Sequence, residues 1–131
     1  KNMENNPEYI KQALFLGFDA EIDVWFVDDN FYLGHDLPEY QINESFLENP
    51  KLWCHAKNID AVVKMSDNDD IHFFWHQEDD VTLTSKKYIW TYPSKKLTSK
   101  SICVLPEKTN YSMDEINMSA GICSDFIISY R

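Results

Sequence analysis

The chain has 131 residues, the length of one domain, and its 44% hydrophobic and 15% aromatic content suits a packed core rather than disorder. It carries 22 acidic against 12 basic side chains, a net charge of −10. That balance excludes nucleic acid and an anionic membrane surface as main partners, because both demand a basic face. Apolar runs are short, as in Ala13 to Leu16, so no integral membrane segment is expected. The three cysteines, Cys54, Cys103 and Cys123, are odd in number and far apart, and read as free thiols in a reducing compartment. No apolar signal region follows Lys1, where Glu4 and Glu8 stand instead, so a cytoplasmic location is expected. A start downstream of the natural one is also expected.

Asn6-Pro7-Glu8 predicts a helix start: Asn as cap, Pro in the first turn, an acid near the positive end of the helix dipole. Ile10, Ala13 and Leu14 continue it to a stop at Gly17. Phe18 to Val27 then alternates. Ala20, Ile22, Val24 and Phe26 take one face, and Glu21, Asp23 and Trp25 take the other. A turn at Asp28-Asp29-Asn30 and a strand from Phe31 to His35 complete a β-hairpin. A short helix over Asn43 to Asn49 is stopped by Pro50. Strands follow at Lys51 to Lys57, Ile71 to Gln77, Tyr88 to Tyr92, Ser101 to Leu105 and Gly121 to Ile128. Between them, Asn58 caps one helix and Ser112-x-x-Glu115 forms a capping box for another. Strands alternating with helices indicate a single α/β domain with parallel pairs. The span from Glu78 to Lys87 is too short for a crossover helix. An ordinary eight-fold barrel takes about 200 residues or more, so this chain can form only a reduced one.

The sharpest chemical signal is Glu21-x-Asp23. Positions i and i+2 of a strand share a face, so two carboxylates lie side by side and repel unless a cation or water intervenes. On most strands such a pair is simply solvated. Here Trp25 shares the face, and the hairpin returns His35-Asp36 towards it. A turn over Asp28 to Asn30 pairs Val27 with Phe31 and sets Asp23 opposite His35. A loop one residue different puts Asp36 there and His35 on the other face. Two carboxylates and an imidazole at one sheet end can hold a hard divalent ion and a general acid.

Trp53, His55 and Lys57 share a face of a later strand, so an imidazole and an ammonium stand together near its C-terminal end. Such a pair suits a phosphate oxygen and acid–base or ligand chemistry, although an edge strand with a polar face has the same pattern. His76 ends the aromatic strand Phe73-Phe74-Trp75 and meets Glu78, Asp79 and Asp80. That run lacks the spacing of a calcium-binding loop, and a hydrogen-bonded strand cap is the commoner role. His72 reads as structural. With three glycines the chain has no Gly-rich phosphate loop, and it has neither a G-x-S-x-G elbow nor an HExxH helix.

Glu21-Ile22-Asp23, followed by Leu33-Gly34-His35-Asp36, resembles the hallmark stretch of the glycerophosphodiester phosphodiesterase family, within the phosphatidylinositol phospholipase C-like phosphodiesterase superfamily. Glu4-Asn5 is similar to that family's E-N, Tyr88-Ile89-Trp90-Thr91 to its late W-T strand, and Gly121-Ile122-Cys123-Ser124-Asp125 to its final G-I-x-T-D strand. The family's H-R-G would precede Lys1. Leu52 to Lys57 resembles its third strand, with Lys57 matching and His55 standing where an acid is usual.

The resemblance implies a reduced TIM-barrel-like (β/α) fold with pruned helices, its first strand missing from this chain. It implies a hydrolase that cleaves a small glycerophosphodiester into glycerol 3-phosphate and an alcohol, with one divalent metal ion, Mg²⁺ or Ca²⁺. Glu21, Asp23 and His55 would hold the metal, and imidazole suits those hard ions less well than carboxylate does. His35 would be one of two acid–base histidines, and Lys57 would steady the phosphate oxygens. Trp90 and His76 would contribute to substrate binding. In the family mechanism the substrate's own hydroxyl attacks phosphorus, and water later opens the cyclic phosphate. The alternatives are a non-catalytic relative that binds a phosphoester or cation, and a phospholipase D-like lyase of the same superfamily.

Overall fold

The computed structural model describes residues 4–130. The expected strand upstream of Lys1, and the first three residues themselves, lie outside that range. The chain divides into two compact units, one ending at Trp75 and one beginning at His76.

The first unit opens with helix α1, Pro7–Phe15, whose cap Asn6 accepts from the N–H groups of Glu8 and Tyr9. Gly17, at φ 92°, ends the turn, a left-handed conformation that glycine adopts without penalty. Strands β1 (Ala20–Val27) and β2 (Asn30–Leu33) form the expected hairpin. A further strand, β3 (Tyr40–Ile42), pairs antiparallel with β2. Sequence patterning does not reveal it, because three residues are too few to show alternation. Helix α2 (Glu44–Leu47) leads to β4 (Leu52–Ala56). Helix α3 (Ile59–Ser66), capped by Asn58, leads to β5 (Phe73–Trp75). The sheet order is β3-β2-β1-β4-β5, with β1, β4 and β5 parallel.

One face of this sheet is the core. Ile22, Val24, Leu33, Leu52, Cys54 and Ala56 are at most 1% exposed, with Ala61 and Met65 of α3 and Ile10 of α1 in the same cluster. Full burial of each larger aliphatic side chain contributes about 1.5–3 kcal/mol. The opposite residues of β1 and β4, namely Glu21, Asp23, Trp53 and His55, therefore all project from the other face.

The second unit holds β6 (Val81–Leu83), β7 (Ile89–Thr91), β8 (Ser101–Val104) and β9 (Gly121–Cys123) in that spatial order. β6 pairs antiparallel with β7, while β7, β8 and β9 are parallel. β6 occupies the short span expected to lack a crossover helix. Helix α4 (Met113–Met118) carries the expected capping box between Ser112 and Glu115. Its Ile116 packs with Leu97 and Cys103. The last strand stops at Cys123 rather than running to Ile128. There Ser124 Oγ accepts from the Phe126 N–H at 2.8 Å, a side-chain turn that bends the backbone out of the ladder.

The α/β class and the parallel pairs are as the sequence leads one to expect. The barrel is not seen: both sheets are open, and no closed barrel forms among the described residues. Likewise, no helix among them is long and apolar enough to cross a membrane.

Candidate functional site

Parallel pairing of β1 with β4 places Glu21 beside Trp53 and Asp23 beside His55. His55 in turn lies beside Phe74 of β5, and the two rings stack 5.1 Å apart with planes 6° from parallel. That stack orients the imidazole. Its Nδ1 lies 3.2 Å from Asp23 Oδ1 and 3.9 Å from Glu21 Oε2. One ligand atom from each of Glu21, Asp23 and His55 falls within 4.8 Å of the others. Neighbouring donors around an octahedral ion bound at about 2.1 Å stand roughly 3 Å apart; the His55–Asp23 distance matches that spacing and the His55–Glu21 distance is wider, so this is a group that could hold a metal ion.

The two acids differ in environment. Burial, and then the repulsion of Asp23, pushes the Glu21 carboxyl well above the ordinary glutamate range. Burial also acts to raise Asp23, but hydrogen bonds from His55 and Asn5 and the positive charge of Lys57 outweigh it and hold Asp23 low. A proton on Glu21, hydrogen-bonded to Asp23, relieves the like-charge contact. A bound cation would do the same and displace that proton.

Asn5 completes the surroundings of Asp23. It is 5% exposed, its Nδ2 donates to Asp23 Oδ2 at 3.0 Å, and its Oδ1 accepts the Asp23 N–H at 2.8 Å. Glu4 stands with Asp23 and His35 in a second group whose ligand atoms lie within 4.8 Å of one another. Sequence reasoning gave Glu4-Asn5 no role in the site. The only signal was the match to an E-N dipeptide.

His35 reaches Asp23 by a route other than the expected one. The turn contains only Asp28 and Asp29, both at positive φ, so Val27 pairs with Asn30 and Phe26 with Phe31. That register, one residue from the expected pairing, brings Gly34 opposite Asp23, and the Gly34 N–H donates to the Asp23 carbonyl at 3.1 Å. The chain then leaves the sheet. A Cβ on Gly34 would sit 1.9 Å from the Leu37 carbonyl oxygen, so only glycine permits this bend. The Trp25 indole N–H donates to the Gly34 carbonyl at 2.7 Å and ties the loop down. His35 is exposed, with Nδ1 3.0 Å from Asp36 Oδ1.

Lys57 follows β4, and its N–H donates to the Val24 carbonyl at 2.8 Å. Beyond it the Asn58 side chain continues the ladder, donating to the Phe26 carbonyl and accepting the Phe26 N–H. The half-buried Lys57 lies close enough to favour ionisation of both Glu21 and Asp23. Glu21, Asp23, His55, His35 and Lys57 thus belong to one locality of the first unit. Trp53 and His72 extend it, their rings 4.1 Å apart. Cys54 points to the core, where burial pushes its thiol up, away from reactivity.

Trp90 and His76 belong to the second unit. Trp90 is 5% exposed on β7. The His76 ring stacks on Tyr92 at 3.7 Å, with Nδ1 3.9 Å from Asp79 Oδ2. The neighbouring Asp80 pairs with Lys95 at 3.3 Å. Comparison with known proteins found no matching family model, no matching curated protein and no matching solved structure.

Proposed function

We propose that the chain is a metal-dependent phosphodiester hydrolase that cleaves glycerophosphodiesters to glycerol 3-phosphate and an alcohol. The convergence of Glu21, Asp23 and His55, with His35 sharing a second such group with Asp23, is the observation that carries the reading. A divalent ion held by that trio would supply Lewis-acid stabilisation and orient the phosphate. Lys57 neutralises charge on a non-bridging phosphate oxygen. His35, exposed at the rim, is placed to exchange a proton with an attacking hydroxyl or a leaving alkoxide. The parallel strands, which advance in chain order within each sheet (β1, β4, β5 and β7, β8, β9), support a reduced-barrel ancestry.

The test is hydrolysis of glycerophosphodiesters by the chain with Mg²⁺ or Ca²⁺. Release of glycerol 3-phosphate that EDTA abolishes is expected. No turnover with any divalent ion overturns the reading, and a cyclic phosphate as sole end product points to the lyase.

A second reading has its own observation. Both Asp23 oxygens already have partners, Asn5 and His55. A self-satisfied network of this kind is compatible with a relative that binds a phosphoester or cation without turnover. Binding of glycerophosphodiester with no product would favour it.

A further inference from the structure

We propose that Asn5 is a positioning residue that fixes which oxygen of Asp23 is presented to the cation. The inference rests on the metal-binding reading above and deepens it.

Within a strand, a residue's N–H and C=O point to the same side. The Asp23 carbonyl accepts from Gly34, on the β2 side. Past Gly34 the partner strand leaves the sheet, so the Asp23 N–H has no strand to meet. Asn5 Oδ1 takes that place at 2.8 Å. From the same amide, Nδ2 reaches Asp23 Oδ2 at 3.0 Å. One planar group therefore grips both the main chain and the carboxylate of one residue. With two points held, the Asp23 side chain cannot rotate, and Oδ1 stays turned towards His55 at 3.2 Å.

The geometry demands asparagine. Aspartate has no N–H for Oδ2, and glutamine is one methylene too long for the paired grip. Asn5 also adopts φ 66°, a left-handed conformation that asparagine tolerates better than most residues. A residue needed only to cap the sheet would require the first hydrogen bond and not the second.

The experiment is calorimetric titration of Mg²⁺, Ca²⁺ and Mn²⁺ into the full chain, its Asn5→Gly variant and an Asn58→Ala control. Glycine suits the backbone at position 5. Asn58 likewise holds a β1 residue with both ends of its amide, but it grips only the main-chain N–H and carbonyl of Phe26. Asn5→Gly is expected to weaken the metal roughly 10- to 100-fold, the usual cost of losing an outer partner of a ligand, and Asn58→Ala to leave affinity unchanged while lowering the melting temperature. Equal affinity in Asn5→Gly and the unaltered chain overturns the inference and leaves the metal reading standing. An equal loss in Asn58→Ala also overturns it, since general destabilisation then explains the effect. If the unaltered chain binds none of the three ions, the metal reading fails and takes this inference with it. A measurement on the unaltered chain covers failure of Asn5→Gly to fold. The Asn5 side-chain amide resonances should shift on Mg²⁺ addition and those of Asn58 should not. Immobile Asn5 resonances at saturating Mg²⁺ overturn the proposal.

Discussion

The indole of Trp25 is hydrogen-bonded to the backbone carbonyl of Gly34, the residue before His35, at 2.7 Å. A bulky aromatic on the acidic face of β1 thus holds the loop that carries the rim histidine. Trp25→Phe keeps the ring and removes the donor. It should cost about 1 kcal/mol of stability and lower turnover of a glycerophosphodiester while leaving divalent affinity intact. Parallel denaturation, rate and calorimetric measurements check this. His35→Ala should show the same split between rate and metal binding, with a larger rate loss and little change in stability.

Gly34 makes the sharpest steric prediction. Any side chain there meets the Leu37 carbonyl at 1.9 Å. Gly34→Ala should therefore destabilise by about 1–3 kcal/mol, the usual cost of overpacking, read as a lower urea midpoint. An unchanged midpoint would mean that the loop takes another path.

Glu21 links stability to pH. Its folded-state carboxyl titrates above its unfolded value. As pH rises past about 4.3, the unfolded chain loses this proton first, so stability falls until the folded group titrates as well. Asp23 has the opposite sign: held low when folded, it contributes stability that is lost as pH falls below about 3.9. Glu21→Gln should consequently raise the melting temperature at pH 8 in EDTA and have little effect near pH 4. The same substitution should abolish stabilisation by added Mg²⁺. Unfolding of Glu21→Gln at every pH would make the residue structural instead.

His55 sets the kind of metal. Imidazole favours borderline ions over hard ones, so the chain should bind Mn²⁺ more tightly than Ca²⁺. His55→Asp should shift that preference towards Ca²⁺ and Mg²⁺, measured by competition titration. It should also lower stability without metal, because a third carboxylate joins two that already repel.

In the second unit, Lys87 is exposed at φ 75° in the turn joining β6 to β7, its N–H donating to the Thr84 carbonyl. Glycine belongs in this left-handed turn position. Lys87→Gly should stabilise by about 1 kcal/mol, seen as a higher melting temperature.

Much of this architecture is legible in the residues. The alternation of β1 separates Ile22 and Val24 from Glu21 and Asp23, and burial follows it. Asn6, Asn58 and Ser112 cap the helices they announce. Strand faces put Glu21 with Asp23 and, separately, His55 with Lys57; only the family resemblance groups His55 with the two acids, and the parallel pairing of β1 with β4 is what sets Asp23 beside His55. The hairpin register was harder to read. Asp28-Asp29-Asn30 has three turn-forming residues, and sequence does not say that Asn30 joins the strand. His35 therefore reaches the acids through a glycine bend rather than across a ladder. β3 and β6, three residues each, show no usable period. Asn5 acts over 18 positions in sequence, a distance at which local patterns carry no signal.

Strand β1 also limits how this site can change. Its rear residues anchor the ribbon while its front residues strain it, and both sets share one backbone. Deleting or inserting a single residue in it would turn Ile22 and Val24 outwards to water and bury both acids in oil. Length variation is therefore closed to this strand, and the chemistry of the site can be retuned only by side-chain exchange or from the surrounding loops.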